Sequence, residues 1–126
     1  MVKIAALIIT ASVFCAGGQP QPFFTFAEFE RLSSAGRAGY IAGMFDGSLH
    51  FGTDQVSEVL GKRQMTCLTR SKITSAELAE GVLEFGRSRP ALRGGTVGPV
   101  LVEYIAALCP DLLGVEALDA IMNELK

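Results

Sequence analysis

A chain of 126 residues with 11 basic and 13 acidic side chains is enough for one domain, and it has no positive surplus to hold a nucleic-acid backbone or a polyanionic lipid surface. Of the three cysteines, Cys15 lies in the apolar N-terminal run, and the remaining two with one distant histidine do not make a four-ligand metal set. No motif places a nucleophile, a metal or a phosphate cradle, so the sequence predicts a protein that is not an enzyme and needs no cofactor.

The chain opens on Met1-Val2-Lys3, a short positive segment, followed by an apolar run from Ile4 to Ala16. The run is too short to span a membrane and has the length of a signal-peptide core. Small residues at Ala16, Gly17 and Gly18 place cleavage after Gly17 or Gly18, so residues 1–18 are read as a signal peptide and 19–126 as a single domain. The alternatives are a packed N-terminal helix, or a lipid anchor on Cys15, which the bulky Phe14 disfavours. Removing Lys3 with the leader lowers the basic count from 11 to 10 against 13 acids, a net charge of −3. No other segment is apolar enough for stable membrane insertion. The expected location is the periplasm or the exterior.

Beyond Gln19-Pro20-Gln21-Pro22, which reads as extended, Thr25 and Glu28 have capping-box spacing, with Phe24 and Phe29 positioned as a hydrophobic staple. A short helix from Phe26 to about Leu32 follows, and Ser34 can cap the next one. That next helix, about Ala35 to His50, carries glycine at 39, 43 and 47, stacked on one ridge. Each glycine costs roughly 1 kcal/mol of helix propensity, so the ridge is expected to be structural, letting another helix approach closely. Ile41, Phe45 and Leu49 form an apolar row beside it. Asp46 stands four residues before His50, and the two could be an acid–base couple. The plainer reading makes Asp46 a buried acceptor and His50 a side chain of the last helical turn.

Thr53-Asp54-Gln55 reads as a cap and first turn, with Gly61 as the stop. Lys62 to Thr66 is then a basic link, either loop or short helix. Thr74 and Glu77 make a second capping box, opening a helix from Ser75 to Arg87 that ends before Pro90. Leu92-Arg93-Gly94-Gly95 is a turn. Thr96 caps a helix whose apolar residues Val97, Val100, Leu101, Tyr104, Ile105 and Leu108 give the clearest amphipathic pattern in the chain. Pro110 ends it. Asp111 to Lys126 reads as one last helix with Leu112, Val115, Leu118, Ile121, Met122 and Leu125 inward, its start weakened by Gly114. The fold class is therefore all-α: a small bundle of about five helices.

Two cysteines outlast the leader, and in an oxidising compartment Cys67 and Cys109 read as one disulfide, with a pair of buried free thiols as the alternative. The least regular stretch, Phe51 to Met65, is tethered at both ends, and tethering lowers the ordering cost of binding. Phe51 and Met65 as apolar anchors, with Lys62 and Arg63 beside them, are the expected partner contacts; an idle surface loop is the alternative.

The order Gly39-Tyr40-Ile41-Ala42-Gly43, Asp46-Gly47, Cys67, Ile73-Thr74, Leu78, Pro90, then Leu101 and Leu108-Cys109-Pro110, resembles the Rap/Tai family. These are periplasmic immunity proteins that protect type VI secreting bacteria from amidase effectors. The resemblance runs from about Phe26 to Pro110. It implies a small disulfide-bonded helical domain, often a homodimer, that plugs an amidase cleft with a protruding loop. The chain departs from the family in keeping a single cysteine pair outside the leader, and no inhibitory-loop motif carries over. A competing class is the Hde-type periplasmic chaperone, also helical and bridged by one disulfide, although one histidine and few clustered acids supply little of a pH trigger.

Overall fold

The computed structural model describes residues 24–51 and 54–126. The leader at 1–18 lies outside the described residues, as do the surroundings of Gly47, His50 and Phe51. Eight helices occur among the described residues: α1 Phe26–Arg31, α2 Ser34–Phe51, α3 Gln55–Ser71, α4 Ser75–Arg87, α5 Pro90–Arg93, α6 Val97–Leu108, α7 Pro110–Leu113 and α8 Val115–Glu124. Five of them run ten residues or more, so the protein is a small all-α bundle, as its periodicities predict.

Both capping boxes form. The Thr25 hydroxyl accepts from the Glu28 amide while the Glu28 carboxylate takes the Thr25 amide at 2.8 Å, and Thr74 and Glu77 repeat the arrangement. The cap of α2 is Ser33 rather than Ser34: its Oγ accepts from the Gly36 amide at 3.1 Å. Phe24 stacks on Tyr40 at 4.8 Å, and Tyr40 in turn lies 6.0 Å from Phe29. An antiparallel bridge between Thr25 and Thr96 clasps the start of α1 to the start of α6.

The core gathers around α4, which packs against α1, α2, α5 and α6. Leu78, Ala79, Val82, Leu83 and Gly86 of α4 are buried, and meet Phe26 and Phe29 of α1, Ile41 of α2 and Val97, Val100 and Ile105 of α6. Arg37 of α2 is buried as well. Its Nε and Nη2 donate to Glu80 Oε1 at 3.1 and 2.7 Å, and its Nη1 donates to the Leu32 carbonyl, so the buried charge is paired rather than orphaned.

The expected glycine contact is not where the spacing puts it. Gly39 and Gly43 are exposed, and a Cβ on either would meet no atom within 4 Å. The close approaches belong to Gly81 and Gly86 on α4. A Cβ on Gly81 would run into the Tyr104 ring, and one on Gly86 into the Phe26 ring and Val100. The two kinds of glycine have opposite expected responses to alanine. Gly43→Ala gains helix propensity at no steric cost and should stabilise by about 0.5–1 kcal/mol. Gly86→Ala forces a methyl into a fully buried ring and should destabilise by about 1–3 kcal/mol. Chemical denaturation of the two variants checks this; a shift of the same sign in both would refute it.

The last helix also departs from expectation. Gly114 breaks it into α7 and α8, with extended backbone at φ −69° and ψ 170°. Leu113 and Ile121 are the buried residues there, while Val115 and Met122 are exposed.

Several surface carboxylates are held below their ordinary values. Hydrogen bonds from Thr25 lower Glu28, those from Thr74 lower Glu77, and the Arg87 guanidinium lowers Glu30. Each group binds protons less readily folded than unfolded, so its contribution is present above the ordinary 4.5 and is lost as pH falls below it. The melting temperature should therefore decline on going from about pH 5 to about pH 3. A flat profile across that interval would show that these caps and pairs add nothing.

Candidate functional site

Within the stretch expected to be irregular, Gln55 to Met65 is helical. Asp54 caps α3, its Oδ1 accepting from the Ser57 amide at 2.8 Å, and the helix continues through Gly61 to Ser71. It ends on Lys72, whose φ of 52° is left-handed. Gly61 does not stop it, because one interior glycine costs only about 1 kcal/mol and the residues that follow are held to the bundle. Phe51 is the last residue of α2.

This helix turns Arg63 away from Lys62 and Met65, which lie three residues apart on adjoining faces. Lys62 is exposed and its Nζ pairs with Glu58 Oε1 one turn earlier, at 2.6 Å. Arg63 turns the other way, and its Nη1 donates to the Leu112 carbonyl of α7 at 3.2 Å. That bond ties α3 to α7. Met65 is 37% exposed.

Met65 stands at a groove of about 340 Å³ between α2 and α3. Ile41, Phe45, Leu68, Ile73 and Leu78 give the groove its apolar lining, and Asp46 also lines it. Asp46 is thus exposed at a groove rather than buried, as its apolar neighbours had suggested. The groove exists because α2 lies chiefly along α4, so its side toward α3 is only partly covered. Phe45 also lines a second, smaller hollow of about 210 Å³ with Met44, Gln64 and Leu101, at whose edge Val102 is 52% exposed.

Below the groove, α3 is fixed. Cys67 and Cys109 form a disulfide with Cα atoms 5.9 Å apart. Arg70 clamps Asp111 through two hydrogen bonds of 2.7 and 2.8 Å, which raises the Arg70 guanidinium and lowers the Asp111 carboxyl. One wall of the groove is therefore pinned on its inner side by covalent and ionic links.

No family profile, curated protein or solved structure matches this chain.

Chemically, the groove offers apolar contact with one carboxylate beside it. Among the described residues no group of three or more His, Cys, Asp or Glu side chains is placed to hold a metal ion, and no helix is long and apolar enough to cross a membrane. Met65 and Asp46 each stand out in the sequence, but their shared location does not. The available signal was the apolar row Ile41 and Phe45 on α2 opposite Met65 and Leu68 on α3, which can be recognised only once Lys62 to Thr66 is read as helix.

Proposed function

We propose that this is an exported, non-enzymatic protein-binding domain, that the α2–α3 groove is its contact surface, and that its partner is an amidase-type effector. The groove carries the reading. It is an open trough with apolar walls, one of them backed by the disulfide and the Arg70–Asp111 clamp, and preorganised apolar surface of this kind lowers the cost of association. The disulfide supports export, since such bonds persist in oxidising compartments. The amidase rests on the Rap/Tai resemblance.

The test is retention from a periplasmic extract of the native host, followed by a peptidoglycan-cleavage assay on what is retained. Wild-type protein should hold an amidase and suppress its cleavage, and Met65→Glu, which places a charge at the groove, should lose both effects. Equal retention by wild type and Met65→Glu would move the contact elsewhere. Retention of no amidase would end the immunity reading.

A further inference from the structure

We infer that α8 is an arm with two positions, hinged at Gly114: folded back on α7, as the structure holds it, and swung out as the straight continuation of α7. The sequence keeps one helical register across the break. Leu112, Val115, Leu118, Met122 and Leu125 follow one another at three- and four-residue steps from one helix into the next. Gly114 interrupts them at a single dihedral. Its φ of −69° is already helical, and only its ψ of 170° is extended. A turn of roughly 150° about that one bond joins Pro110–Leu113 and Val115–Glu124 into one helix.

Different bonds hold the two positions. Folded back, α8 packs chiefly on α7, and Ile121 is the one buried residue of its ten. Ile121 stands outside the main core cluster, and no residue of Val115–Glu124 takes part in an ion pair among the described residues. The helix also starts without a side-chain cap. Among the described residues no protein group accepts from the amides of Val115, Glu116 and Ala117, the orphan donors of a helix start. In the straight arm those three amides donate to the carbonyls of Asp111, Leu112 and Leu113, four residues back. Ile121 then leaves its seat, so one buried side chain is set against three main-chain hydrogen bonds. Helix α7 is a fixed base for both positions. Cys109 at its start is bridged to Cys67, Asp111 is clamped by Arg70, and the Leu112 carbonyl takes Arg63 with a lone pair to spare. Binding that favours one position shifts the other, and none of the residues of α8 lines the α2–α3 groove.

The test is residue-resolved amide exchange by NMR on the full chain and two variants. Gly114→Ala puts a helix former at the hinge, and in the folded-back position its Cβ would run into the Pro110 carbonyl oxygen. Ile121→Ala removes most of the side chain that holds the arm back and leaves a good helix former in its place. In both variants the protection of the Val115, Glu116 and Ala117 amides should rise by about tenfold or more, while Asp119 to Glu124 stay protected. The wild type should show the straight arm as a minor state, through relaxation dispersion at Leu113 to Ala117 that is absent from α4. Protection in α4 verifies that a variant keeps the bundle. Unchanged exchange at the three amides in either variant whose α4 stays protected overturns the inference. So does loss of protection from Asp119 to Glu124, which means that the arm melts rather than straightens, or a flat dispersion profile at the hinge of the wild type.

Discussion

Phe26→Ala should destabilise the protein by about 3–5 kcal/mol, the usual cost of emptying a fully buried aromatic site. For a domain of about 100 residues that lowers the melting temperature by well over about 10 °C. Phe26 is the first residue of α1 and is 0% exposed. Its amide donates to the Gly95 carbonyl at 2.9 Å, and its ring lies 6.2 Å from that of Phe29. The same ring fills the space above Gly86 beside Val100. One side chain therefore joins α1, α4 and α6, and its loss leaves a hole that no single neighbour can close. The sharper form of the test is a double-mutant cycle. Gly86→Ala, destabilising in the wild type, should become neutral or stabilising in the Phe26→Ala background, because the added methyl enters the vacated space. Additive effects would mean that ring and glycine do not share a contact.

The helix ends were legible where short-range chemistry sets them. The threonine–glutamate boxes at 25–28 and 74–77 were readable because both partners lie within one turn, and Ser75–Arg87 matches its expected bounds. The errors lie where tertiary contact decides. Glycines at 39 and 43 suggest a packed ridge through their spacing alone, yet that face of α2 points outward, while Gly81 and Gly86, five residues apart, meet Tyr104 and Phe26. Spacing tells which residues share a face; it does not tell which face is covered. Gly61 suggests a stop, although Lys62, Arg63, Gln64 and Met65 after it are all good helix formers. That propensity was the signal, and it was outweighed by one glycine.

The candidate site was legible only as a set of residues. Lys62, Arg63 and Met65 are neighbours in sequence, but a helix turns about 100° per residue, so Arg63 faces the Leu112 carbonyl while Lys62 and Met65, three residues apart, lie on adjoining faces toward solvent and the groove. What gathers at the groove instead is Phe45 and Asp46 with Met65 and Leu68, from helices whose relative placement depends on α4 and on the cysteine bridge.

Replacing both Cys67 and Cys109 with serine should cost about 2–5 kcal/mol, and the chain-entropy estimate for a loop of this size is about 4 kcal/mol. The bridge spans a sequence separation of 42, so it restricts a large part of the unfolded chain. Its two residues are 0% and 1% exposed, and two serine hydroxyls left there would need partners in an apolar setting. The loss should be uneven. Helix α4 is enclosed by α1, α2 and α6 and does not depend on the bridge. Helix α3 is held inward by the bridge, by Arg63 on Leu112 and by Arg70 on Asp111. Amide exchange should therefore accelerate first in α3 and α7 and last in α4. Because α3 is a wall of the groove, Cys67→Ser/Cys109→Ser should also lose groove binding at temperatures where α4 remains protected. Uniform acceleration through all helices would show that the bridge stabilises only globally. Unchanged exchange in α3 would mean that the groove wall stands without it.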